Sequence, residues 1–343
     1  MSHTMKILVI GPAWVGDMVM AQTLFACLQQ QHPGCVIDVL APQWCRELLA
    51  RMPQVHAALP MPIGHGELAL GKRRQIGREL AAHHYDQALV LPNSLKSALI
   101  PWFAGIPLRT GWRGEARGWL LNDCRHLDKS VYPLMVQRFA ALAYSPDTPL
   151  PTRLPQPSLQ SDPQRRSAVR QQLGLASTRT VVALCPGAEF GPAKQWPARH
   201  YAAFAAAQVR AGKQVWLFGS ARDAAVAGAI RSQLDEELRE HCIDLCGRTT
   251  LSEAVDLLAE AALVVSNDSG LMHIAAALAR PLVVLYGSTS AAFTPPLTDR
   301  AKLMSLNLPC SPCFKRECPL KHLDCLNKLE PQQVLAAAEE LTG

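Results

Sequence analysis

Two segments of this chain share one plan, and that plan limits what the rest can fold into. Thr180 to Leu184 is a short apolar run that stops at Pro186-Gly187, passes through an irregular loop carrying Lys194, and yields to a helical pattern opened by Pro197. Val264 to His273 repeats it: a buried run, a polar turn at Asn267-Asp268-Ser269-Gly270, and a helix start. An apolar strand that turns through glycine into a helix is the βα unit of a parallel sheet. At the carboxyl ends of such strands, exposed backbone N–H groups, helix dipoles and a fixed ammonium together make an anion site. The two turns read as a grip on a diphosphate.

The same alternation runs through both halves. Strands are expected near Lys6–Ile10, Val36–Ala41, Ala57–Met61, Gln87–Leu91 and Arg109–Trp112, and again near Thr180–Leu184, Gln214–Phe218, Ile243–Leu245, Leu263–Ser266 and Leu282–Tyr286. Helical periodicity fills the gaps, near Asp17–Gln31, Gln43–Arg51, Leu68–His83, Leu95–Ala104 and Tyr132–Tyr144 in the first half. Between Pro146 and Pro163 six prolines crowd into a stretch with neither period, a linker near the midpoint. The expected fold is α/β: two Rossmann-like domains facing across a cleft, residues 1–155 and 156–343, with one substrate on each. The last helix, 331–341, is a candidate to pack back toward the first domain.

Composition narrows the partners. With 343 residues, 49% of them hydrophobic, the chain can bury two ordinary cores. A formal charge of +6 suits an anionic small molecule or an acidic membrane surface. The cations are scattered without a nucleic-acid-binding signature, so no nucleic-acid partner is expected. No apolar run approaches the ~18 residues of a membrane span. Met5 to Ile10 runs straight into a strand, so no secretory signal is read, and Met1 to Thr4 look like a dispensable leader. The reading is a cytoplasmic protein whose eleven cysteines are reduced.

Several residues carry candidate chemistry. Gly11 to Asp17 follows the first strand, but its glycines are five apart and no Gly-Lys-Ser/Thr follows, so it is neither a dinucleotide fingerprint nor a P-loop. Asp17 is either the cap of the next helix or a carboxylate aimed at a hydroxyl. Lys194, with Gly187 and Ala188 at the head of its loop, is read as a phosphate ligand, since a loop stiffened at both ends holds its cation in place. Asp268, Ser269 and Gly270 either merely start a helix or bring its backbone up to a phosphate, with His273 as a neighbour in the first turn. Gly219 and Ser220 end another strand and either hold ribose or base or form an ordinary loop. In the first half, Lys72 lies in a Lys72-Arg73-Arg74 run and is either an acceptor-binding cation or part of a solvated helix face. Lys96, after Pro92-Asn93-Ser94, is better placed for an anionic second substrate, with Arg109, Arg113 and Arg117 as further cations. Cys310, Cys313, Cys318 and Cys325 are spaced C-x2-C-x4-C-x6-C, which suits structural Zn²⁺ or, less well, an iron–sulfur cluster, against free thiols or disulfides. No Asp-x-Asp pair occurs, and no catalytic metal or other cofactor is expected.

On residues alone, a sugar-nucleotide epimerase, a dinucleotide-dependent dehydrogenase and a non-catalytic nucleotide-sugar binder compete with a transferase. Five motifs taken in order add a resemblance. Gly11 to Asp17, Leu91 to Ser97, Arg109 to Glu115, Pro186 to Trp196 and Asn267 to His273 together resemble the ADP-heptose:lipopolysaccharide heptosyltransferase II family, glycosyltransferases of family nine with the GT-B fold. The resemblance implies inverting, metal-independent transfer of L-glycero-D-manno-heptose from ADP-heptose to the first heptose of the Kdo–lipid A inner core, in lipopolysaccharide biosynthesis. It implies a peripheral location on the cytoplasmic face of the inner membrane, with the nucleotide sugar on the second domain. Asp17 matches the family's base, Lys194 the lysine that neutralises departing ADP, Asp268 to His273 the donor loop, and Lys96 a lysine linked with the acidic acceptor.

Overall fold

The structure, a computed structural model, describes residues 4–64, 66–175 and 178–343. The first three residues of the leader reading lie outside that range. The chain divides into two compact units, Met1–Pro157 and Ser158–Gly343, and the division falls inside the proline-rich segment.

The first unit is a six-stranded parallel sheet: β1 (Lys6–Ile10), β2 (Val36–Ala41), β3 (Ala57–Pro60), β4 (Gln87–Val90), β5 (Leu108–Trp112) and β6 (Asp123–Arg125), in spatial order β3-β2-β1-β4-β5-β6. The second has β7 (Val181–Cys185), β8 (Gln214–Leu217), β9 (Cys242–Asp244), β10 (Leu263–Asn267), β11 (Leu282–Leu285) and β12 (Ala301–Met304), in order β12-β11-β10-β7-β8-β9. Read from its other edge, the second sheet repeats the first. Both have the doubly wound order, whose direction reverses between β1 and β4 in one unit and between β7 and β10 in the other. Central strands read as continuous apolar runs because helices cover both faces: β7 and β10 are buried at every position.

Each unit closes its own core. Leu8, Ile10, Ala88, Val90 and Ile100 meet in the first. Val182, Leu184, Trp196, Phe204, Val265 and Val283 meet in the second. The last helix, Pro331–Thr342, packs on the helix Ala198–Arg210 and on β11 and β12, with Val334, Ala337 and Ala338 in the second core.

The structure departs from expectation where burial is partial. Strands β6 and β12 were not expected. Both are edge strands without a fully buried residue, so neither has an apolar run to betray it. The helix expected over Tyr132–Tyr144 shrinks to Met135–Ala140 and one tighter turn, Ala141–Ala143, because Pro133 bars an earlier start. Pro197 stands at the N-cap of its helix, one place before the expected first turn.

Candidate active site

The second unit's switch point gathers the loops after β7 and β10, whose ends pair at Cys185 and Ser266. Lys194 closes a short 3-10 turn, Pro192–Lys194, and reaches across so that its Nζ stands 2.7 Å from Asp268 Oδ2 and 3.3 Å from the Asp268 carbonyl. The Thr289 hydroxyl donates to the same carboxylate oxygen at 2.7 Å. Asp268 is buried and Lys194 half-buried, so the pair sits in a low-dielectric pocket where charges interact strongly. The loop is braced from outside. Arg316 and Lys194 both lie over the Phe190 ring, 5.4 and 5.1 Å from its centroid, and the Ala193 N–H donates to the Arg316 carbonyl at 3.0 Å. Gly191 takes φ +152°, and a Cβ there would stand 2.5 Å from that carbonyl oxygen, so only glycine fits.

Asn267 ties this site together, a residue whose role sequence reasoning missed. It is fully buried at the end of β10. Its Oδ1 accepts from the Trp196 N–H at 3.1 Å and the Tyr201 hydroxyl at 3.0 Å, and its Nδ2 donates to the Pro186 carbonyl at 2.7 Å. One amide thus pins both ends of the Lys194 loop. The available signal was an amide closing an otherwise apolar buried strand, where an unpaired polar group is costly.

The other donor-side candidates have definite places. Ser269 is the N-cap of the helix Gly270–Ala277, which directly follows β10, and its side chain makes no cap bond to that helix's first N–H groups. His273 lies inside the first turn, and burial pushes its pKa down to about 4, so it is neutral near pH 7. Gly187 and Gly219 both abut Asp223: an added Cβ would come within 2.5 Å of Asp223 Cγ at the first and 2.7 Å of its Cβ at the second. Ser220 donates both its N–H and its hydroxyl to Asp223 Oδ2 at 2.8 Å. Ala188 is buried beside Gly187.

In the first unit, Asp17 stands in the first turn of the helix Val15–Gln31, whose N-cap is Trp14. The plain capping reading of Asp17 is therefore corrected: the carboxylate lies three residues inside, where the helix dipole still favours its charge. Lys96 opens the helix Leu95–Phe103 after β4, which pairs with β1 through Ile10 and Val90. The segment before Lys96 hangs on Arg117, which is fully buried. Arg117 Nη1 donates to the Pro92 carbonyl, Nη2 to Asn93 Oδ1 at 3.0 Å, and Nε to the Trp112 carbonyl at 3.1 Å.

Arg73 is a second correction. It is not part of a solvated face but is buried, donating to the carbonyls of Leu68 at 2.6 Å, Lys96 at 3.0 Å and Glu67 at 3.1 Å. Lys72 and Arg113 are exposed. Arg109 gives its Nε to the Leu120 carbonyl at 2.7 Å and its Nη1 to the Ile106 carbonyl at 2.5 Å, a fastening of its own chain.

Of the readings open for the four-cysteine segment, structural Zn²⁺ is not supported. Among the described residues no group of three or more His, Cys, Asp or Glu side chains is placed to bind a metal ion. Cys325 is turned into the second core while Cys310 is exposed. Burial raises the Cys325 thiol, and the other three thiols nearby raise it further. All eleven cysteines are free thiols. The segment's evident work is to brace the Lys194 loop through Arg316. Among the described residues no helix is long and apolar enough to cross a membrane.

Known proteins share this sequence and fold. A family model described as glycosyltransferase family 9 (heptosyltransferase) matches residues 73–324. Lipopolysaccharide heptosyltransferase 2 of Escherichia coli K12 is 51% identical over 346 aligned residues, spanning 99% of this chain and 98% of its own. Lipooligosaccharide heptosyltransferase 2 of Haemophilus influenzae is 52% identical over 88% of this chain and 89% of its own. The solved structure of E. coli ADP-heptose LPS heptosyltransferase II superposes with a TM-score of 0.91 at 48% identity, over 98% of each chain.

Proposed function

The chain belongs to glycosyltransferase family 9, the heptosyltransferases, and from that premise we propose that it moves L-glycero-D-manno-heptose from ADP-heptose onto the first heptose of the Kdo–lipid A inner core. The transfer inverts the anomeric carbon and uses no catalytic metal. The acceptor hydroxyl gives its proton to the Asp17 carboxylate as its oxygen forms the bond to C1. The bond from C1 to the β-phosphate oxygen breaks, and ADP leaves with the electron pair. Charge grows on that diphosphate as it departs, and Lys194 with the first N–H groups of the helix Gly270–Ala277 meets it there.

The observation that carries this reading is the Lys194–Asp268 pair at the β7/β10 switch point, 2.7 Å apart and fixed from three sides by Thr289, Asn267 and Arg316. An ammonium held this way is already positioned for a diphosphate. In this reading Gly187, Ala188, Asp268, Ser269, Gly270 and neutral His273 line the donor site, with Gly219 and Ser220 toward its nucleoside. Lys96, Lys72 and Arg113 face the anionic acceptor. Arg109 fastens the start of β5, the end opposite Arg113, and serves there as a structural cation. Because the acceptor is a membrane glycolipid, the protein works as a peripheral protein on the cytoplasmic face of the inner membrane.

Purified protein given ADP-heptose and the glycolipid of a deep-rough strain should add one heptose to the acceptor and release ADP only when the acceptor is present. ADP release without acceptor, or no gain in acceptor mass, overturns the proposal.

A further inference from the structure

The first unit carries an outward face that neither its core nor the site above uses. The helices Leu70–Ala81 and Leu95–Phe103 pack so closely that a Cβ on Gly77 would stand 2.5 Å from Phe103 Cβ and 2.9 Å from the Ile100 carbonyl oxygen. Their outer side is left as an open cavity of about 640 Å³, lined by Leu70, Gly71, Arg74, Arg78, Trp102 and Phe103. Trp102 is 41% exposed and meets Trp119, 64% exposed, edge-on with ring centroids 5.9 Å apart. Leu70 is 51% exposed on the same cavity. Two indoles and a leucine open to water beside each other are unusual on a soluble surface and mark a contact area.

The charge beside them says what kind. Arg74 and Arg78 are one turn apart on the same helix face, an arrangement in which like charges repel. The acid in that helix, Glu79, accepts a hydrogen bond from Gln75 at 2.9 Å. Exposed indoles next to paired cations match the boundary of an anionic bilayer: tryptophan settles at the headgroup level, and arginine meets lipid phosphates. Burial of apolar rings and attraction to anionic lipid add, so the two together bind more strongly than either alone.

We propose that this face, centred on Trp102, Trp119, Arg74 and Arg78, docks the protein onto an anionic phospholipid bilayer. The purpose rests on the lipid-borne acceptor proposed above, while the surface itself stands on its own geometry.

The test is partition onto vesicles of phosphatidylcholine with and without phosphatidylglycerol. The wild-type protein should sediment with the anionic vesicles, and the bound fraction should fall as salt rises. Trp102→Ser with Trp119→Ser, and separately Arg74→Glu with Arg78→Glu, should each weaken partition at least ~10-fold. Lipids brominated on the acyl chain should quench wild-type tryptophan emission more than that of the Trp119→Ser protein. Because Trp119 is so open, that single variant keeps the test valid if the double variants misfold. All variants should still transfer heptose to detergent-dispersed acceptor while losing rate on vesicle-embedded acceptor. Equal vesicle binding by wild-type and variants overturns the proposal. So does a salt-stable dimer that Trp119→Ser dissolves, in the absence of vesicle binding. If no protein, wild-type included, transfers heptose to dispersed acceptor, the enzymatic reading fails while the partition result still judges this surface.

Discussion

The switch-point loops of the first unit are held by buried arginines, whereas those of the second are held by a buried amide and an acid–base pair. Arg117 and Arg73 give their N–H groups to main-chain carbonyls and, for Arg117, to an asparagine oxygen, so their donors are spent on fastening the chain. Burial pulls both guanidinium pKa values down, yet arginine stays charged in proteins. Beside Lys96 that charge is partly offset, because Glu115 accepts the Leu95 N–H at 2.6 Å and acts on Arg117 as well. In the second unit Asn267 brings no charge, and Lys194 is matched by Asp268. One unit fastens its loops with buried cations bonded to backbone oxygens, and the other with a neutral amide and a matched ion pair. The same sheet order thus supports two ways of holding switch-point loops.

Substitutions can break that comparison at several strengths. The largest effect is expected from Asp17→Asn. Steady-state kinetics should show turnover lower by about 10²–10⁴, with donor affinity kept. A loss of only a few-fold would remove the base from the first unit. Next comes a matched pair, Arg117→Met and Asn267→Ala, each leaving several buried groups unpaired at about 1–3 kcal/mol apiece. Calorimetry should record a loss of at least about 3 kcal/mol for either. The kinetic signatures should differ: a raised acceptor KM for Arg117→Met and a raised donor KM for Asn267→Ala. If both variants disturb the same substrate, the division of labour is wrong.

A smaller effect sharpens the contrast through pH. Burial lowers His273 from 6.5 to about 4, so between those values the unfolded chain binds a proton that the folded one refuses. Its contribution to stability is complete above about 6.5 and is lost as pH falls toward 4, on the order of 1–3 kcal/mol across the window. Thermal melts of His273→Asn should show a flatter acid limb than wild type. An unchanged limb would mean that His273 is charged in the fold.

Much of this was legible in the residues. Apolar runs such as Val181–Cys185 and Leu263–Asn267 mark central parallel strands because both faces are covered, and the turns after them marked the Lys194 and Asp268 loops. Edge strands β6 and β12 were illegible because a strand with one neighbour needs no continuous apolar run. The roles of Arg73 and Arg117 were hidden for another reason. A cation in a basic run looks solvated, and only the fold reveals that its donors are needed by carbonyls far along the chain, as when Arg117 reaches Pro92. The cysteine spacing misled in the opposite direction. Short spacing brings thiols near one another, but the helix Asp324–Asn327 turns Cys325 inward to pack, and a metal needs all its donors aimed at one point.

The most direct measurement is calorimetric titration of ADP-heptose, and of ADP alone, into wild-type and Lys194→Ala protein. A second unit built around a ligand-shared ammonium should lose at least ~10-fold in affinity for both when that ammonium is removed, since a charge-assisted bond to phosphate contributes about 1.5–3 kcal/mol. Equal affinity in the two proteins would contradict it.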